Sequence, residues 1–143
     1  MPLEFLSPLH KASRQITMYL EAQMRGLGVS PVEGHVLTYL RKYAPAPVGE
    51  LVRVFGLKQS TFTSLLDRLE RAGLVRRALN PDDRRSLLVH ITDRGRELTA
   101  RLNRLLEKLE DDIRGKLRRS EVKGFHAVMA AVEDVTQVRV RER

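Results

Sequence analysis

After Gly73 the spacing of apolar residues drops from a period near 3.6 to a period of 2, and after Ile91 it returns to the longer period. A chain that switches once and switches back holds one β-hairpin set into an otherwise helical protein. The first arm reads Leu74-Val75-Arg76-Arg77-Ala78. A turn at 80 to 84, built from Asn80, Pro81, Asp82, Asp83 and Arg84, reverses the chain. Ser86 to Ile91 return as the second arm, with Leu87, Val89 and Ile91 alternating against Ser86, Leu88 and His90. The fold class is mainly α with a small β element (α+β).

The helical part divides at its punctuation. Ser7-Pro8 predicts a first helix start, with Ser7 as cap and Pro8 at the first helical position. Leu9, Ala12, Ile16, Leu20, Gln23 or Met24, and Leu27 then share one face. Ser30-Pro31-Val32-Glu33 has the form of a capping box, followed by an apolar stripe of Val32, Val36, Leu37 and Leu40. Ala44-Pro45-Ala46-Pro47 stops that helix. A short helix carrying Val48, Leu51, Val52 and Phe55 ends at Gly56, where a left-handed cap is expected. The next helix buries Phe62, Leu65, Leu66 and Leu69 and closes at Gly73. Two short helices joined by a glycine turn are the helix-turn-helix pattern. Beyond the hairpin, Thr92 caps a long helix whose Leu98, Leu102, Leu105, Leu109 and Ile113 lie close to a coiled-coil seam. Ser120 starts a last helix with Val122, Phe125, Met129 and Val132 on one side.

Length suits a single domain: 143 residues can enclose a core. The net charge of +8 fits a polyanionic partner. Residues 51 to 85 hold eight cations against four carboxylates, half of the chain's excess in about a quarter of its length. With no cysteine, disulfides, thiolate nucleophiles and thiol redox switches are excluded. No apolar run approaches the roughly 20 residues of a membrane span, and the first 15 residues lack a secretion signal, so a cytoplasmic location is expected. His10, His35, His90 and His126 are scattered and give no metal-ligand spacing. Asp82 and Asp83 sit on an exposed turn rather than in a desolvated pair, and Gly26-Leu27-Gly28 opens no phosphate loop. Neither catalysis nor a cofactor is expected.

Helix, glycine turn, helix and hairpin, in that order, make a winged helix-turn-helix. A helix fits the major groove of DNA, and the hairpin beside it can send a side chain into the minor groove. The turn at residues 80 to 84 is then the tip of the wing. Arg84 and Arg85 are its useful end, because a narrow minor groove concentrates negative potential. Asp83 reads as a brace that holds Arg85.

Residues 46 to 95 resemble the MarR family of bacterial transcription regulators. Asp83-Arg84-Arg85, followed by an apolar strand and by Ile91-Thr92-Asp93-Arg94-Gly95, stands at the spacing of the family's wing. Leu69-Glu70-Arg71-Ala72-Gly73-Leu74-Val75-Arg76-Arg77 is similar to the pattern that ends the family's recognition helix. The resemblance implies a homodimer on double-stranded operator DNA, with residues 30–93 as the reading head and 1–29 and 94–143 as the dimer body. It implies a repressor that occludes its promoter. Lys58 stands where the family often has a small cap such as Ser, and it can reach a phosphate instead. Ser64 stands where many members carry Arg, which removes one potential guanine contact. Gln59, Ser60, Thr61, Thr63 and Ser64 lie off the apolar stripe as candidate base readers, with Arg68 and Arg71 as phosphate holders. Small molecules in this family often bind between body and head and change the distance between the two recognition helices. By analogy His10 and Arg14 face that region, and an anionic aromatic effector is expected. The competing reading is a winged helix used for protein contact, without an operator of its own.

Overall fold

The computed structural model describes residues 2–140, so Met1 and residues 141–143 of the expected dimer body lie outside the described residues. The chain runs α1 (Leu6–Gln23), a 3-10 turn (Arg25–Leu27), α2 (Pro31–Tyr43), β1 (Ala46–Pro47), α3 (Val48–Phe55), α4 (Gln59–Arg71), β2 (Val75–Asn80), β3 (Asp83–Ile91), α5 (Asp93–Arg114) and α6 (Arg119–Thr136). Among the described residues, no helix is long and apolar enough to cross a membrane.

The capping box at Ser30 is present. The Ser30 hydroxyl accepts from the Glu33 backbone N–H at 3.2 Å, and the Glu33 carboxylate accepts from the Ser30 N–H at 3.0 Å. Gly56 and Gly73 hold φ of 64° and 75° at the ends of α3 and α4, a region closed to most side chains. The core of the head gathers Val36, Leu37, Leu40, Leu51, Phe62, Leu66, Leu69, Val75 and Val89, all essentially inaccessible to solvent. A second cluster joins α1 to α5, with Leu20, Met24 and Leu102 buried and Leu105, Leu106 and Leu109 packed against them.

Several expectations need correction. The α1 helix starts at Leu6 with Phe5 at its cap position, not at Ser7. The Ser7 N–H instead closes a turn onto the Leu3 carbonyl at 3.3 Å, and Pro8 still falls in the first turn, where a missing N–H costs nothing. The N-terminal half of α1 finds no cover within the protomer, so Ala12 and Ile16 are exposed and only Leu20 and Met24 of the expected face are buried. Val32 is exposed at the edge of its stripe. The α6 helix begins at Arg119, one residue before Ser120, where the Glu121 carboxylate accepts from the Arg118 backbone N–H at 2.9 Å and from its Nε at 3.1 Å. The seam on α5 buries Leu102 against its own protomer's α1 and leaves Ile113 exposed.

The sheet has three antiparallel strands in the order β1-β3-β2. Its third strand, β1, was not expected: Ala46 and Pro47 pair with Val89 and Leu88 and tie the stop after α2 to the base of the hairpin. The hairpin is longer than expected. The β2 strand runs from Val75 rather than Leu74 and reaches Asn80, and β3 begins at Asp83 rather than Ser86, so the turn shrinks to Pro81-Asp82.

Candidate nucleic-acid interface

The α4 helix presents two unlike faces. Phe62, Leu65, Leu66 and Leu69 lock one into the core. The other carries Gln59, Ser60, Thr61, Thr63, Ser64, Arg68 and Arg71, all exposed. Lys58 occupies the cap position, also exposed, and gives no side-chain cap to the helix. The first N–H groups of α4 therefore point outward without a side-chain acceptor, beside a cationic side chain, and such a helix end favours an anion. The Thr63 hydroxyl donates to the Gln59 carbonyl at 2.9 Å and the Ser64 hydroxyl to the Ser60 carbonyl at 3.2 Å. As placed, both hydroxyls turn acceptor lone pairs outward.

The wing tip is knitted by its own side chains. Asn80 Oδ1 accepts from the Asp82 N–H at 3.0 Å, and Asn80 Nδ2 donates to Ser86 Oγ at 3.1 Å. Asp83 Oδ1 accepts from the Arg85 backbone N–H at 3.0 Å and lies 3.5 Å from the Arg85 Nε. The carboxylate thus fixes the backbone of Arg85 more firmly than its guanidinium, whose side chain is 94% exposed. The ladder register jumps from Leu79↔Leu87 to Asn80↔Asp83, so Arg84, Arg85 and Ser86 bulge out of β3. A bulge re-aims side chains. Here it pushes both guanidiniums away from the ribbon at its far end.

Besides Arg85, several cations of the head have protein partners. Arg68 Nε lies 3.5 Å from a Glu33 carboxylate oxygen, with the Arg68 side chain still largely exposed. Arg71 Nε donates to the Asp67 carbonyl at 3.3 Å. Arg77, on β2, sits between two carboxylates of α4: its Nη2 is 2.5 Å from Asp67 Oδ1 and 2.7 Å from Glu70 Oε2. Its Nε donates to Glu70 Oε2 at 2.9 Å, and its backbone N–H donates to Glu70 Oε1 at 3.3 Å. The Arg77 hydrogen bond holds the Glu70 carboxyl below its ordinary range, and the hydrogen bonds to Glu70 and Asp67 raise Arg77 in turn. Counting charge along the sequence places Arg77 among the head's available cations, whereas the fold neutralises it. The signal was present in the spacing, with carboxylates three apart near the end of a helix and an arginine seven residues after the second.

His10 and Arg14 are both exposed on α1 and line none of the described cavities. A cavity of about 370 Å³ does lie where head meets body, bounded by Leu27, Val29, Leu74 and Leu98 with Arg94, Glu97 and Arg101 at its edge. An apolar groove of about 420 Å³ runs between the start of α1 and α6, lined by Phe5, Leu6, Val128, Val132 and Val135.

Two helices joined across a left-handed glycine, followed by a hairpin braced against the second helix, define a winged helix-turn-helix protein. The chain belongs to the MarR family. Residues 29–87 match the model described as MarR family. Over 139 residues the chain is 32% identical to the HTH-type transcriptional regulator PecS of Dickeya dadantii, an alignment covering 92% of this chain and 81% of that protein. The fold is similar to that of MepR from S. aureus in its DNA complex, with a TM-score of 0.83 at 17% identity, covering 94% of this chain and 99% of MepR. It is likewise similar to wild-type apo MarR from E. coli, with a TM-score of 0.75 at 26% identity, covering 92% of this chain and 97% of MarR.

Proposed function

We propose that this protein is a sequence-specific DNA-binding transcriptional regulator that acts in the cytoplasm as a homodimer on a pseudo-palindromic operator and represses by occluding the promoter. The observation that carries the reading is the pairing of α4's exposed polar row with a bulged arginine tip on the adjoining hairpin. A helix of 13 residues anchored along one side fits a major groove. Gln59, Ser60, Thr61, Thr63 and Ser64 then read base edges, and Lys58, Arg68 and Arg71 hold phosphates. Arg85, set by Asp83, enters the minor groove, and Arg84 holds the backbone beside it. Residues 30–93 form the reading head, and the flanking helical segments form the dimer body. The family membership and the DNA complex of MepR support this assignment.

Two reading heads neutralising roughly 8 to 12 phosphates give a log K that falls steeply with log salt. Binding is to be measured by fluorescence anisotropy on a duplex that the protein selects from a random-sequence library. A slope shallower than about −3 contradicts the assignment. Arg85→Ala is expected to weaken binding to that duplex several-fold or more, and wild-type affinity in this variant removes Arg85 from the interface. A winged helix serving only protein contact would select no sequence at all.

The repressor is proposed to respond to a small anionic aromatic ligand, with His10 and Arg14 as contacts. These two side chains are four apart on α1 and therefore share a face. A ligand changes DNA occupancy only through its differential affinity for the competent and incompetent states. Aromatic acids titrated against the complex with the selected duplex are expected to release DNA from wild type and less readily from Arg14→Ala. An equal response in the two proteins excludes the α1 site.

A further inference from the structure

The hairpin is a two-stranded ribbon, and its buried side chains are confined to its base. Val75 and Val89 are fully covered, whereas Leu79 and Leu87, directly opposite one another further out, are exposed. Such ribbons have little stiffness of their own. Arg85 lies four residues beyond Val89, roughly 12 Å along the strand. An angular error of about 10° at the base therefore displaces the tip by about 2 Å, a large fraction of a minor groove only about 6 Å wide. Something at the base must fix the angle between wing and α4 for both grooves to be engaged in register.

We propose that Arg77 is the positioning residue that sets this angle, and that it makes no phosphate contact itself. It is the one residue of β2 whose side chain and backbone N–H are both hydrogen-bonded by α4 among the described contacts. Asp67 and Glu70 grip it from successive turns of the helix, so the clamp resists both sliding and tilting of the strand. With two carboxylates on one guanidinium, the cluster carries a net negative charge and offers nothing to a phosphate. The inference rests on the DNA-reading function proposed above.

The test uses full-length protein and a charge-matched variant. Asp67→Asn combined with Arg77→Met removes the guanidinium's contacts with both carboxylates, keeping only the backbone N–H bond to Glu70, and leaves the cluster's net charge unchanged, so the field at the DNA is preserved. The specific probe is a duplex enriched from a random library by the wild-type protein, and the non-specific probe is a scrambled duplex of the same composition. The variant is expected to lose tenfold or more in affinity for the enriched duplex, while binding the scrambled duplex within twofold of wild type and keeping the wild-type salt slope. Minor-groove protection by the wing against hydroxyl radicals is expected to vanish, while major-groove guanine protection by α4 persists. A parallel fall on both duplexes, or a salt slope reduced by about one, would mean that Arg77 touches phosphate, and the proposal fails. Unchanged discrimination and an intact wing footprint would reduce the clamp to a fold-stabilising contact and also overturn it. Should the double variant not fold, Glu70→Gln keeps an acceptor for the Arg77 N–H, and it is expected to weaken wing protection at an unchanged circular dichroism spectrum. Full protection in Glu70→Gln overturns the proposal. A wild-type protein that enriches no sequence would instead defeat the DNA-reading function, an outcome visible before any variant is made.

Discussion

Replacing Gly95 with alanine is expected to lower the thermal unfolding midpoint by about 5 °C or more. Gly95 is buried near the start of α5, and a Cβ there would stand 2.3 Å from the Leu74 carbonyl oxygen and 2.8 Å from Ile91 Cγ1. The nearer obstacle is backbone, and that backbone is committed. The Leu74 carbonyl accepts from the Thr92 N–H at 3.1 Å. The Thr92 hydroxyl donates to the Gly73 carbonyl at 2.6 Å and accepts from the Gly95 N–H at 3.0 Å. These contacts tie the entry of α5 to the turn between α4 and β2, so the methyl cannot be admitted without breaking some of them. Overpacking a core costs about 1–3 kcal/mol. Each hydrogen bond lost adds about 1 kcal/mol. The better helix propensity of alanine returns only about 1 kcal/mol. In a domain near this size, each kcal/mol moves the midpoint by about 2–4 °C. Gly124→Ala is the control, since a Cβ on this exposed residue of α6 meets nothing within 4 Å. It is expected to leave the midpoint unchanged or raise it slightly. A Gly95→Ala midpoint within about 2 °C of wild type would show that α5 does not approach the turn this closely.

The parts of this architecture that were legible in the sequence are those encoded locally. Apolar spacing and two left-handed glycines located α3 and α4, because a helix face and its stop signal lie within a dozen residues of one another. Ser30 and Glu33 announced α2 for the same reason. What was not legible depends on partners distant in the chain. Ala46 and Pro47 have no strand signature and become a strand only because Val89 and Leu88 arrive beside them. The three-residue bulge at Arg84 to Ser86 follows from a register set by the hairpin's buried base, which local turn chemistry cannot report. The polar row on α4 was readable by subtraction from the apolar stripe. The pairing of Arg77 was missed because a count of charges carries no geometry, although the spacing of Asp67, Glu70 and Arg77 held the signal.

Placing aspartates at Val132 and Val135 together is expected to convert the protein to a monomer and to reduce affinity for its selected palindromic duplex by about a thousandfold or more. None of the residues of α6 is buried within the protomer. Phe125, Val132 and Val135 are 54%, 39% and 82% exposed, and Leu3, Phe5 and Leu6 near the start of α1 are exposed by more than half. Apolar surface gathered on the terminal helices in this way marks an interface. The groove between them is lined almost wholly by apolar side chains, which suits the apolar face of another helix rather than a polar ligand. Two charges buried there without partners cost several kcal/mol in a dimer and little in a solvated monomer. The effect on DNA is then set by linkage between half-sites. A dimer bound at about 1 nM holds −12.3 kcal/mol, and each head supplies a share near half of that, which alone corresponds to binding weaker than about 10 μM. Half-sites one helical turn, about 10 base pairs, apart are expected from a two-fold dimer. The discriminating measurement pairs sedimentation velocity with anisotropy on two duplexes, one carrying both half-sites and one carrying a single half-site. The aspartate variant should bind the two duplexes alike and match wild type on the single half-site, because its reading head is untouched. A variant that stays dimeric, or a wild-type protein that is monomeric at micromolar concentration yet binds a single half-site tightly, would place the dimer interface elsewhere or remove it.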